Sequence, residues 1–252
     1  MDKIQVEVIQ APSKKPAMAP FLARMTQRGH KLTNMEDLQE LINQKATTKH
    51  LSSLAEMPHG TIKRFDSYTV AIVGASRRFL AQIRTHQHAD FVSGSLQYSD
   101  FSANDPAEMF VVPYEVFGNE HLKQYYLDSC KKGFLRYKTI AAEAGNDAAG
   151  FVAPNGMRNV LIMQANAQSW QYMIGLRTCR RNSLETRYVL LRIWEELLKA
   201  NHGKYFFSPS ACGCGCQTGK CQEGHMTCGE PLSVDMGPTE ILHADFPLLY
   251  KE

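Results

Sequence analysis

An α+β fold is predicted by three features of the sequence: few strand-like runs, long helical patterns between them, and a 44% hydrophobic content across 252 residues. That length suffices for one large core, or one core plus an appendage, and a charged fraction of 21% is ordinary for a folded chain. The formal net charge of +3 is too mild to argue for a nucleic-acid or anionic-membrane partner, and it accommodates small anionic ligands. The first residues, MDKIQVEVIQ, show neither a basic n-region nor an apolar h-region, and no run of about 18 apolar residues occurs. A cytoplasmic protein is therefore expected.

In chain order, Ile4 to Ile9 alternates as a half-buried strand until Pro12 ends it. Pro16 to Arg28 reads as a short helix. Asn34 to Gln44 reads as a clearer one, with Asn34 as N-cap, Asp37 completing a capping-box-like pair, and Met35, Leu38, Leu41 and Ile42 as its apolar stripe. A break at Pro58-His59-Gly60 precedes an alternating run from Thr61 to Ile72, and Asp105-Pro106 is a second break. His121 to Glu143 has the pattern of a long helix closed by Gly145-Asn146. Asn159 to Gln164 suits a buried strand, Ala165 to Leu176 turns helical, and Ser183 to Lys199 is strongly amphipathic. Asn182 and Glu185 have capping-box spacing at the start of that last helix, which Gly203 stops.

The stretch from Val70 to Ser99 carries most of the chemistry. By periodicity it begins as a helix, because Ile72, Phe79, Leu80 and Ile83 recur at helical spacing; His86 and His88 follow, then a Ser93-Gly94-Ser95 piece suited to a loop or a site wall. Surface histidines after a helix are the plain alternative. Trp170, Tyr172 and Met173 either stack on a ring system or belong to the core, and Asn166 either bonds a ligand or caps the helix it begins.

Five of the seven cysteines, Cys212, Cys214, Cys216, Cys221 and Cys228, crowd near the C-terminus. The odd count and the absence of a signal peptide argue against a disulfide framework. Zinc or an iron–sulfur cluster is one reading, with Cys212, Cys216, Cys221 and Cys228 as ligands and His225 as a substitute; free or redox-paired thiols are the other. This divides the chain into a domain at 1–208, a Cys-rich segment at 209–230 and an extension at 231–252.

Several collinear pieces resemble the flavin-dependent thymidylate synthases, the ThyX family, from about Gln5 to Gly229. His59-Gly60, SYTVAIVGASR from Ser67 to Arg77, then Gln82, His86, Ser95 and Tyr98 follow the family's approach to and passage through its arginine-histidine-arginine signature. Ala153-Pro154-Asn155, with Asn166-Ala167 twelve residues on, matches a second segment. Leu176-Arg177, Cys179, Arg181, Glu185 and Arg187 match the helix closing the substrate site, and Gly219 to Gly229 looks like the cysteine-bearing tail of some members.

The resemblance implies a ThyX-like fold and a homotetramer that binds FAD, is reduced by NADPH, and moves a one-carbon unit from methylenetetrahydrofolate to C5 of a pyrimidine nucleotide. It also implies roles: Ser95 and His86 at the reaction centre; Gln82, Gln97 and Arg177 toward substrate; Ser67, His86, Gln87, Asn166 and Arg181 toward cofactor. The departures are systematic. Thr85 and Gln87 stand where the signature has arginines, Gln97, Gly150 and Gln168 replace three more, Ser93 replaces an acidic or glutamine position, and Phe65 replaces a histidine. At roughly 1.5–3 kcal/mol per hydrogen bond to a charged group, losing about three arginines removes roughly 4.5–9 kcal/mol, or about three to six decades in affinity for a phosphorylated ligand. A re-specified site for a less anionic pyrimidine is therefore expected, with a non-catalytic nucleotide-binding or partner subunit of the same fold as the alternative.

Overall fold

The computed structural model describes residues 1–13, 18–57, 60–219, 221 and 223–250. Its elements run β1 (Gln5–Gln10), α1 (Met18–Arg28), α2 (Met35–Asn43), α3 (Thr48–Glu56), β2 (Ser67–Ser76), α4 (Arg77–Ile83), β3 (Asp90–Ser93), α5 (Tyr114–Phe117), α6 (Glu120–Gly150), β4 (Arg158–Asn166), α7 (Ala167–Arg177), α8 (Leu184–Lys199), α9 (Gly203–Phe206) and α10 (Pro238–Asp245). The strands form one antiparallel sheet in the order β1-β2-β4-β3. Long helices around this small sheet make the fold α+β, as the sequence predicts.

Tyr68, Val70 and Ile72 alternate into the core along β2, and Leu161, Met163 and Ala165 do so along β4. Read as a buried strand, β4 is buried on one face only: Val160 and Gln164 point outward. Against the apolar face lies α8, whose Leu190, Leu191, Ile193, Trp194 and Leu197 are fully buried. Indole N–H groups in this layer find backbone acceptors, Trp170 on Tyr68 O at 3.1 Å and Trp194 on Phe207 O at 2.6 Å, so the aromatic rings are buried without stranding a donor. Leu232, Ile241, Leu242 and Phe246, from the C-terminal extension, join the same core, as do Cys212 and Cys214.

The strand-to-helix corners matter most for the site. The helical reading of the stretch beginning at Val70 gives way to a strand through Ser76 and a short helix after it. Ile72 and Phe79 both face inward, one from each element, so their seven-residue spacing mimics two helical turns. At the corner Gly74 is a bulge residue with φ 86, and the pairing shifts between Val73 and Ala75. Ser76 then caps α4 by accepting from Phe79 N at 3.0 Å, and Glu185 accepts both the N–H and the hydroxyl of Ser76. Glu185 is thus engaged with the sheet and not with a capping box at Asn182, whose amide spans Leu176 O and Arg177 instead.

Other boundaries shift for local reasons. Asn34 caps α2 by accepting Asp37 N at 2.8 Å, and the Asp37 carboxylate reaches back chiefly to the N–H and hydroxyl of Thr33. Residues 60–65, expected as the start of a strand, wind into a 3-10 turn. Gly145, expected to end the long helix, instead kinks it at φ 86 while helix continues to Gly150. Pro58 and His59, read as part of a break, lie outside the described residues. Among the described residues no helix is long and apolar enough to cross a membrane.

Candidate active site

At the end of the sheet where Ser67 pairs with Asn166, β4 turns into α7 and a cavity of 710 Å³ opens. Asn166 accepts Ser169 N at 2.9 Å and so caps α7, leaving the first turn of an 11-residue helix facing the cavity. Helix N-termini favour anions through unpaired N–H groups and the helix dipole. Gln168 and Ser169 from that turn line the cavity, as does Arg64 from the 3-10 turn before β2. Arg64 Nε donates to Gln168 Oε1 at 2.7 Å. Gly60 permits this pairing, since a Cβ there would lie 2.0 Å from the Gln168 amide nitrogen.

The opposite wall comes from the segment after α4. His86, Gln87, His88 and Thr85 face α7, whose Tyr172, Met173, Leu176 and Arg177 complete the lining. Arg177 organises this wall: Nε donates to His86 Nε2 at 2.9 Å, Nη2 to Thr85 Oγ1 at 3.0 Å and Gln82 O at 3.4 Å, and Nη1 to Asn182 Oδ1 at 3.4 Å. Because Nε2 accepts, the ring is neutral with its proton assigned to Nδ1. Burial, and then the adjacent guanidinium, lower the His86 imidazole to about 4. The Tyr172 ring meets His86 edge-on at 6.0 Å between centroids.

This arrangement carries a pH dependence of known sign. With a folded value near 4 against 6.5 unfolded, the histidine contributes stability that is complete above pH 6.5 and is lost as pH falls from there toward 4. The shift corresponds to about 3 kcal/mol at roughly 1.36 kcal/mol per unit, and partial exposure screens it to on the order of 1–2 kcal/mol. Chemical denaturation from pH 7 to 4.5 should show His86→Gln losing that much less stability than the parent; parallel curves would refute the assignment.

The structure brings together His86, Gln87, Asn166 and Arg177 of the residues singled out from sequence. Ser67 stands beside Asn166 in the sheet. The Gln82 side chain points elsewhere: its Oε1 accepts the hydroxyls of Ser183, at 2.8 Å, and Thr186, tying α4 to α8. Ser95 lies on the turn after β3, where its hydroxyl accepts Gln97 N and Tyr98 N, and neither Ser95 nor Gln97 lines this cavity. Arg181 is exposed and outside the lining. Of the aromatic candidates, Trp170 is core and Tyr172 is 64% exposed in the wall. Sequence reasoning missed Arg64; its one signal was a basic residue just ahead of the strand that leads to the site.

Of the four cysteines read as metal ligands, Cys212, Cys216 and Cys221 line a cavity apart from this site and Cys228 lies outside it. Among the described residues no three His, Cys, Asp or Glu side chains are placed to hold a metal ion. Cys212 is buried, while Cys228 turns its thiol to Glu230 O and Cys221 toward Thr227, so their sulfurs are spent on separate local contacts.

A family model described as thymidylate synthase complementing protein matches residues 7–201. The chain belongs to this family. A flavin-dependent thymidylate synthase of Geobacter sulfurreducens is 25% identical over 232 residues, covering 92% of this chain and 96% of the relative. Another, from Thermococcus onnurineus, is 26% identical over 189 residues, 74% and 77% of the two chains. Among solved structures, ThyX from Helicobacter pylori with FAD and dUMP superposes with a TM-score of 0.61 at 15% identity, covering 81% of this chain and 97% of that one. A UMP/dUMP methylase, PolB from Streptomyces cacaoi, bound with 5-Br dUMP, gives 0.61 at 16% identity, covering 84% and 96%. These likenesses show a ThyX fold. The cysteines from Cys212 onward lie beyond the residues that the thymidylate synthase complementing protein model matches.

Proposed function

We propose that this protein is a flavin-dependent enzyme that transfers a one-carbon unit to C5 of a pyrimidine nucleotide or nucleoside. The carrying observation is the cavity itself, which unites the neutral His86, its Arg177 support, the Asn166-capped helix N-terminus and the Tyr172 ring. Names of relatives support the class: the curated ones are flavin-dependent thymidylate synthases, and the solved ones hold dUMP or its bromo analogue.

The residues present fit FAD. A volume of 710 Å³ is that of a cofactor-sized cleft, and its wall combines an apolar strip at Tyr172, Met173 and Leu176 with uncharged hydrogen-bonding groups. The N-terminus of α7 with Arg64 would hold phosphate oxygens, and the Gln87 and Asn166 amides would bond ring edges. FAD when bound supplies the redox and one-carbon chemistry that side chains lack, with methylenetetrahydrofolate as donor and NADPH as reductant. The chain's own part is positional: Arg177 fixes the ring plane of His86 and keeps it neutral, so that Nδ1–H donates rather than repels.

Phosphate is the weak point of the site. Every donor-bearing nitrogen of Arg177 already has an internal acceptor, and Gln87 and Gln168 present amides in place of guanidinium groups. This favours a substrate with less negative charge than dUMP, such as the nucleoside. Exposed Tyr98, Tyr125, Leu135 and Phe151 support assembly with further copies as a homotetramer, in which Ser95 and Gln97, carried beside Tyr98, would serve a neighbouring cavity.

Purified protein should show the absorbance of bound FAD. With methylenetetrahydrofolate and NADPH it should release tritium from C5-labelled deoxyuridine or dUMP, the preference reporting the re-specification. A colourless protein that takes up no added FAD would overturn the enzyme reading and leave a nucleotide-binding or partner subunit, which the internally spent Arg177 would also suit.

A further inference from the structure

Behind α7, away from the candidate site, lies a second cavity of 440 Å³ walled by thiols. Cys179 contributes from the link between α7 and α8, and Cys212, Cys214, Cys216 and Cys221 from the loop after α9; all are free. The loop is built to hold this position. Gln217 is buried, accepts Cys214 N at 3.1 Å, and donates to Ser233 O at 3.0 Å and Met236 O at 2.8 Å. The Cys214 carbonyl accepts Gln217 N at 2.8 Å and Thr218 N at 3.2 Å, closing a tight turn around Cys216. Gly213, at φ 146, brings its carbonyl so near α7 that a Cβ on Gly175 would sit 3.0 Å from it.

Within this turn Cys214 and Cys216 line the same cavity, and Cys179 faces it as well. Residues two apart are held within reach by the backbone, since consecutive Cα atoms are about 3.8 Å apart and a disulfide accepts about 4.4–6.8 Å. The two thiols are unequal. Cys214 is 5% exposed, and burial pushes its thiol up to about 12, while Cys216 is half-buried on the cavity wall and accepts Leu232 N at 3.3 Å. An incoming reagent therefore meets Cys216 first.

We propose that Cys214 and Cys216 form a reversible dithiol–disulfide couple that exchanges with small-molecule disulfides such as glutathione disulfide. The Cys216 sulfur, as thiolate, attacks one sulfur of the small disulfide; that S–S bond breaks, a mixed disulfide forms, and the released small thiolate takes up the proton Cys216 gave to water. The Cys214 sulfur then attacks the Cys216 sulfur, expelling the second small thiol, which carries away the Cys214 proton. Two protein thiols are oxidised and one small disulfide is reduced to two thiols. Tyr172 and Leu176 wall both cavities, so the state of the couple bears on the helix that shapes the candidate site.

The test equilibrates the full-length protein in buffers of graded reduced and oxidised glutathione, quenches in acid, blocks free thiols, and reads intact mass and fragment spectra. The expected result is a species lighter by about 2 Da before blocking, following the glutathione ratio, reversed by dithiothreitol, and mapped to Cys214 and Cys216. Cys214→Ser and Cys216→Ser should each abolish it, and Cys228→Ser, outside the cavity, should leave it unchanged. Mapping of the parent protein decides the matter even if a variant fails to fold. Glutathione adducts without the internal bond, a disulfide joining other cysteines, unaltered mass throughout, or thiols blocked by a stoichiometric metal would each overturn the proposal, and none of these readouts depends on flavin.

Discussion

Replacing Asp245 by alanine should destabilise the protein by about 3–5 kcal/mol, the cost typical of removing one partner from a buried ion pair. Asp245, at the end of α10, bonds both Arg180, at 2.8 Å, and Arg187 on α8. The Arg187 side chain is only 3% exposed, and its remaining partners are Thr178 O at 2.9 Å and the Phe246 ring. Without the carboxylate that guanidinium stays charged and loses its counter-ion. Burial alone would raise the Asp245 carboxyl, but the bonds from the two arginines outweigh it and hold the group below its ordinary value. The stability it contributes is therefore present above the unfolded carboxylate range, near about pH 3.9, and is lost as pH falls through the folded value. Asp245→Asn keeps the shape without the charge and should fall between parent and alanine variant in urea denaturation. An alanine variant within about 1 kcal/mol of the parent would mean that water reaches Arg187 and replaces the pair.

Arg177→Ala should produce the largest loss at the candidate site. The substitution frees His86, Thr85 and Asn182 together, and truncation of a group held by several charge-assisted bonds costs more than any one of them. A decrease of about 100-fold in flavin affinity, roughly 2.7 kcal/mol, is expected, with the His86 titration moving up from about 4 because the second of its two depressing causes is gone. Fluorescence titration with FAD gives the first number and the imidazole resonance the second. Arg177→Lys should restore little, because an ammonium cannot span His86, Thr85 and Asn182 as the planar fork does. If histidine titration is unmoved while flavin binding collapses, Arg177 contacts the cofactor directly rather than through His86.

The sequence carries the helices and the sheet well where local chemistry decides them. Asn34, Ser183 to Lys199 and the alternation of β1 are legible because caps and periodicity are properties of neighbours in the chain. The boundary between β2 and α4 is not, since Ile72 and Phe79 meet the same core from different elements. Residues 48–56 form a helix that sequence reasoning missed, although Thr47 caps it by accepting His50 N and Leu51, Leu54 and Ala55 make its apolar stripe. Residues 90–93 are a strand too short to announce itself, held by pairing with β4. The site divides in the same way. His86, Gln87, Asn166 and Arg177 are recoverable by resemblance, whereas the pairing of Arg64 with Gln168 joins residues 104 apart and depends on Gly60 making room. Cys179 likewise joins the thiol-lined cavity only through the fold.

The bulge at Gly74 makes β2 a counting device as well as a strand. Up to Ile72 the even-numbered residues face the core; beyond the bulge Ala75 does, so one inserted residue changes the parity of everything that follows. Gly74 is the extra residue: Val73 pairs with Val160 and Ala75 with Asn159, so β4 advances by one while β2 spends two, and Ala75 and Ser76 arrive where Ser76 meets Phe79 and Glu185. The irregularity stays at that end of the sheet, because the residues beside the candidate cavity, Ser67 and its partner Asn166, precede the change of phase. The extra residue thus belongs to the end that fastens α4 to α8 through Ser76 and Glu185, the corner that begins α7 lies in the regular part, and the two ends of a single strand answer to different constraints.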